Sequence, residues 1–207
     1  MGIPTLIKTQ TATNSASLDF VDGTSDVVFD STYDEYMFVM TDLGPATDST
    51  GLVFQVNATD DAGGGYDTSL ITSTCFRAQL SEGDAEQGIF YSTGQDLAQS
   101  SNFQPITSPE TGNGSDESAV CILHIFNPSS TTYVKHFYSR SHSYAAGNQA
   151  ESHFVAGYIN DTTAIDEIRF KMASGNFDGV IQMYGICLLY TSPSPRDRTR
   201  SRMPSSA

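Results

Sequence analysis

Tryptophan is absent from the 207 residues, lysine and arginine together number only 10, and charged side chains of either sign make up 16%. Against 24 acidic groups the basic shortage leaves a formal charge of −14 and excludes a bare DNA-binding domain, because affinity for a phosphate backbone comes mostly from Lys and Arg. Without Trp, the aromatic platforms usual in a glycosidase cleft are scarce. No apolar run approaches a membrane-spanning length. Residues 1–8 lack both the basic n-region and the long apolar stretch of a signal peptide, so a soluble protein without a cleaved leader is expected. Only three cysteines occur, with no zinc-type spacing. Cys75 and Cys121 sit among strand-like apolar residues and are expected as buried free thiols rather than a disulfide. Ser, Thr, Asn, Gln and Gly fill the places that helix-favouring Glu, Lys and Arg would take, which favours strands and turns.

Residues 187–207 differ from everything upstream. Cys187-Leu-Leu-Tyr-Thr-Ser-Pro-Ser-Pro-Arg-Asp197 and Ser201-Arg-Met-Pro-Ser-Ser-Ala207 resemble translated sequencing adapter, with Arg198, Thr199 and Arg200 where a variable index would fall. The expected organisation is therefore one β-sandwich domain over 1–186 and a non-native, disordered tail over 187–207. Setting the tail aside leaves 6 basic against 23 acidic side chains. That balance repels nucleic acid and anionic membrane and makes cation binding cheap.

Short apolar runs recur between polar clusters, and none has the i, i+3, i+4, i+7 spacing of a surface helix. Strands are expected at 17–20, 27–29, 35–41, 52–57, 74–80, 88–91, 119–126, 133–139, 153–159, 165–172 and 179–186. Alternation assigns faces: Ile168, Phe170 and Met172 point one way, Arg169 and Lys171 the other. Residues 37–40 and 120–126 are almost continuously apolar, as strands covered on both faces should be. Asn127-Pro128, Ser174-Gly-Asn176 and Gly63-Gly-Gly65 supply turn chemistry. The polar stretch 93–118 reads as a surface excursion, with a helical turn near 95–99. These features point to an all-β, two-sheet antiparallel sandwich of jelly-roll type.

Chemistry-bearing patterns are few. His124, His136, His142 and His153 have no ligand spacing along the chain, and ordinary hydrogen-bonded histidines are favoured over a cross-strand metal site. The nucleophile elbow, the zinc-protease helix motif and the phosphate-binding glycine loops are all missing. Asp60, Asp61 and Asp67 around the glycine run could offer hard oxygens to calcium, although a solvated acidic turn is the favoured reading. No other cofactor is expected.

The phrases Met37-Phe-Val-Met-Thr-Asp-Leu-Gly-Pro-Ala-Thr-Asp48, Thr74-Cys-Phe-Arg-Ala78, Ile125-Phe-Asn-Pro-Ser-Ser130, Tyr133-Val-Lys-His-Phe137, Phe154-Val-Ala-Gly-Tyr-Ile-Asn160 and Ile168-Arg-Phe-Lys-Met172, in this order, resemble a group of uncharacterised proteins encoded by tailed, mostly marine bacteriophages. The resemblance covers roughly residues 5–186. It implies a non-enzymatic, metagenomic virion or tail protein, made in the host cytoplasm, with no agreed functional residues. Its partners would be other virion proteins or a host-surface glycan, with a homo-oligomer allowed and neither nucleic acid nor membrane insertion involved. Phe103, Gln104, Tyr144 and Asn148 are the candidate loop-tip contacts. A carbohydrate-binding lectin or carbohydrate-active enzyme is the alternative, and a capsid decoration protein the second alternative, which a flat apolar surface would favour.

Overall fold

The computed structural model describes residues 2–59, 66 and 69–187. Strands carry the fold, and no helix occurs among the described residues. In chain order they are β1 (Thr5–Ser15), β2 (Leu18–Val21), β3 (Glu35–Pro45), β4 (Leu52–Ala58), β5 (Ile71–Ser81), β6 (Gln87–Tyr91), β7 (Gln104–Pro105), β8 (Ala119–Phe126), β9 (Lys135–Ala145), β10 (Gln149–Ile159), β11 (Ile165–Met172) and β12 (Phe177–Ile186). They form an eight-stranded sheet, β1-β12-β3-β8-β9-β10-β5-β6, and a four-stranded sheet, β2-β11-β4-β7, with antiparallel pairing throughout.

The topology is a jelly roll with two insertions. β1, β3, β8 and β12 occupy the large sheet while β2, β4, β7 and β11 occupy the small one, so the chain crosses between layers again and again. The hairpins β5–β6 and β9–β10 interrupt that path. Both add to the β8 side of the large sheet, which therefore outgrows its four-stranded cover.

Alternation fixes which side chains meet between the layers. On β11, Ile168, Phe170 and Met172 are buried while Arg169 and Lys171 face outward, as their spacing predicts. Phe20, Phe54 and Phe170 from the small sheet meet Phe38 and Phe137 from the large one, with ring centroids 5.2 to 6.4 Å apart. Edge and tilted contacts of this kind suit the ring quadrupole. The turns use residues that tolerate positive φ: Gly175 (φ 74°) closes β11–β12, and Asn148 (φ 54°) ends the three-residue loop of β9–β10.

Four expectations need correction. Residues 27–29 are not a strand; Val27 and Phe29 are buried, and the segment is pinned by Val27 C=O accepting from Gly23 N–H at 3.0 Å and by Asp22 Oδ1 accepting from Phe29 N–H at 2.8 Å. β9 begins at Lys135, not at 133 as expected, which leaves Tyr133 in the preceding turn, 75% exposed. The stretch 93–118 holds no helix and is no mere excursion: Gln104, Ile106, Thr107, Ser108 and Thr111 are buried, because this segment covers the inner face of the inserted hairpins where the small sheet ends. Finally, β3 and β8 are central, as expected, but covered on one face only; Val120 and Ile122 are open to solvent.

Candidate functional site

The inner face of the inserted hairpins is polar, unlike the aromatic core beside it. Period-two spacing aims Ser139, Ser141 and Ser143 of β9 and Glu151 and His153 of β10 inward, where they meet Ser73, Cys75 and Arg77 of β5 under the 104–111 segment. Glu151 is wholly buried. Its Oε2 accepts from Ser108 Oγ at 2.5 Å and from His153 Nε2 at 3.3 Å, and its Oε1 lies 3.6 Å from the Arg77 guanidinium. Because a carboxylate only accepts, Nε2 donates to it, and Nδ1 lies 3.9 Å from Cys75 Sγ. Burial alone would raise the Glu151 carboxyl, yet the bonds from His153 and Ser108 and the charge of Arg77 outweigh it and hold the group below the usual carboxylate range.

Cys75, His153 and Glu151 stand in the order of a nucleophile, a base and its orienting acid. The thiol is nevertheless protonated and enclosed. Burial pushes it up to about 11, and the Cys121 thiol is pushed up for the same reason. In this state the relay ties β5, β10 and the covering segment together. The raised Cys75 value adds stability fully present below the ordinary thiol range, which fades as pH climbs through about 11. At pH 8 such a thiol is about one part in a thousand thiolate, so labelling by an aromatic disulfide should be at least about a hundredfold slower at Cys75 than at exposed Cys187 until the fold is denatured. Rapid native-state modification of Cys75 would contradict this burial.

Outside the relay, a cleft of about 390 Å³ opens beside Arg77, walled by Phe90, Tyr91, Ser92 and Gln95. The guanidinium lies 5.9 Å from the Phe90 ring centroid, and Tyr91 Oη donates to Asp96 at 2.7 Å. Arg77 separates this cleft from Glu151 and His153.

The second feature is the outer face of the large sheet. One transverse row runs Val39, Ile122, Arg140, Phe154, Phe76, Tyr91 from β3 to β6, each residue opposite the next. Phe76 and Phe154 stack at 4.8 Å with 8° between rings, and Arg140 lies 5.4 Å from the Phe154 centroid. Nearby, His124 and Tyr138 stack at 4.5 Å. A groove of about 510 Å³ crosses this face between Val39 and Ser152. Among the outward side chains of β3, β8, β9, β10, β5 and β6 the carboxylates are Glu35, held by His124 Nδ1 at 2.5 Å, and Asp42, exposed at the β3 bulge.

Of the expected contact residues, Tyr144 and Asn148 lie together at the rim of this face, Tyr144 Oη donating to Asn148 Oδ1 at 3.3 Å; Tyr144 also lines a groove of about 280 Å³ there. Phe103 is elsewhere, 4.3 Å from Lys171 Nζ on the outside of the small sheet. Gln104 is corrected: it is fully buried in β7, accepting from Ser73 Oγ at 2.6 Å and donating to the Gln95 and Pro105 carbonyls, each at 2.8 Å. Asp60, Asp61 and Asp67 lie outside the described residues, as does 188–207. Among the described residues no group of three His, Cys, Asp or Glu side chains is placed to hold a metal. A further groove of about 720 Å³, lined by Phe126, Tyr133, Val134 and His136, carries no carboxylate. Compared with family models, with curated proteins and with solved structures, the chain matches none.

Proposed function

We propose that the chain is a non-enzymatic structural or adhesion module of a phage virion, made in the host cytoplasm and working by docking rather than by turnover. The observation that carries the docking reading is the outer face of the large sheet, where apolar and aromatic side chains are gathered on a strongly acidic protein and few of the described carboxylates stand. Contiguous exposed apolar surface of this kind marks interaction sites. The phage setting rests on the resemblance of the phrases across 5–186. Two measurements test the two parts. The native protein should enhance bis-ANS fluorescence, and Ile122→Lys combined with Phe154→Lys should cut that enhancement severalfold; an unchanged signal would remove the docking face. Genes flanking this one on the same DNA should encode tail, baseplate or capsid proteins, whereas metabolic neighbours would undo the virion setting.

The cleft beside Arg77 favours a second reading, sugar binding, because an aromatic wall next to charged hydrogen-bonding groups suits a glycan. A glycan array probed with and without calcium should then show binding that Tyr91→Ala abolishes, and a blank array would dismiss it.

A further inference from the structure

We infer that the outer face of the large sheet docks against the same face of a second copy of this chain, an inference that rests on the docking reading above. The sequence itself asks for a cover. β8 reads Ala-Val-Cys-Ile-Leu-His-Ile-Phe, with apolar groups on both faces, a pattern proper to strands enclosed on two sides. The small sheet encloses one side only, so Val120, Ile122 and their neighbour Val39 face solvent in the isolated chain.

The inserted hairpins enlarge the same surface. β5–β6 and β9–β10 are absent from the jelly-roll path, yet both extend one side of one sheet and both aim aromatics outward: Phe76, Tyr91, Tyr138 and Phe154. With strands ~4.8 Å apart and outward residues ~6.7 Å apart along each, the six strands from β3 to β6 present roughly 700 Å². Two copies would bury about 1,400 Å² in all, within the range of stable specific interfaces. The composition agrees: aromatics and Arg140 are present, and the Asp, Glu and Lys among these outward positions are paired Glu35 and Asp42 at the β3 bulge.

Charge selects the partner. Two copies of a −14 chain repel each other wherever carboxylates oppose, and this face, with Glu35 paired and Asp42 at the β3 bulge, carries few. A two-fold pairing sets each face against itself, closes after two copies, and brings the sheets to the ~10 Å separation of an ordinary sandwich.

Sedimentation velocity of the full chain across a broad concentration range tests the inference. The parent should sediment as a dimer, and Ile122→Lys with Phe154→Lys should weaken the dimer at least about thirtyfold. Glu167→Lys, on the small sheet, should leave it intact. If the double variant does not fold, Phe154→Ser alone serves. A dimer that survives Ile122→Lys with Phe154→Lys would mean pairing elsewhere, edge to edge included, and overturn the face. A monomer throughout that still binds bis-ANS through Ile122 and Phe154 would overturn the second copy while leaving the docking reading standing. A monomer without that binding would remove both.

Discussion

Replacing Phe170 by Ala should destabilise the fold by about 4 kcal/mol, the cost of emptying a fully buried aromatic site. The ring sits at the seam of the two layers, touching Phe20 and Phe54 within its own sheet and Phe38 across it. Truncation removes contacts from three strands at once, and the flanking rings cannot collapse into the gap without leaving their own edge contacts. Thermal unfolding should then begin roughly 10 °C lower, since 1 kcal/mol moves the midpoint by about 2 to 4 °C at this chain length. Phe170→Leu, which keeps most of the volume, should cost well under half as much. Equal losses for Ala and Leu would show that ring geometry rather than filled volume holds the layers, and a loss below about 1 kcal/mol would mean the seam is not where stability resides.

That seam was legible because β11 and β12 each have one apolar and one mixed face, so a period of two names the buried residues directly. β1 was not legible. Its sequence, rich in Thr and Gln, shows no alternation, because an edge strand paired only with β12 is held by its backbone and needs little burial. β8 misled in the opposite sense: apolar side chains on both faces predict two covers, and the chain provides one. The relay was only half readable. Glu151 and His153 are two apart on one strand, as are Ser139, Ser141 and Ser143, and a polar period of two on an otherwise inward face is a signal that could have been followed. Cys75, Arg77 and Ser108 join them through sheet neighbours and a covering loop that local pattern does not reveal. Gln104 failed for the same reason, since a polar residue in a Pro- and Gly-containing stretch looks exposed until the hairpins beneath it are known.

Arg77→Met should destabilise the protein by about 3 kcal/mol at pH 7, nearly all of it vanishing in acid. The guanidinium lies 3.6 Å from the buried Glu151 carboxylate, and removing one member of a buried pair strands the other charge in a poorly solvated site. Methionine retains most of the apolar stem, so the loss reports charge rather than packing. The sign follows from linkage. In the parent the folded Glu151 lies below its unfolded value, so its contribution is present above the ordinary carboxylate range and disappears as pH falls through the folded value. Without Arg77 the folded value moves up, the carboxyl takes a proton sooner, and parent and variant converge once both are neutral. Adding Glu151→Gln to Arg77→Met should recover most of the stability at pH 7, because the amide still accepts from His153 and Ser108 and carries no charge. A deficit that stays constant from pH 7 to pH 3, or a double variant no better than the single one, would mean that Arg77 acts through its guanidinium against the Phe90 ring and that the buried carboxylate is held by its two hydrogen bonds alone.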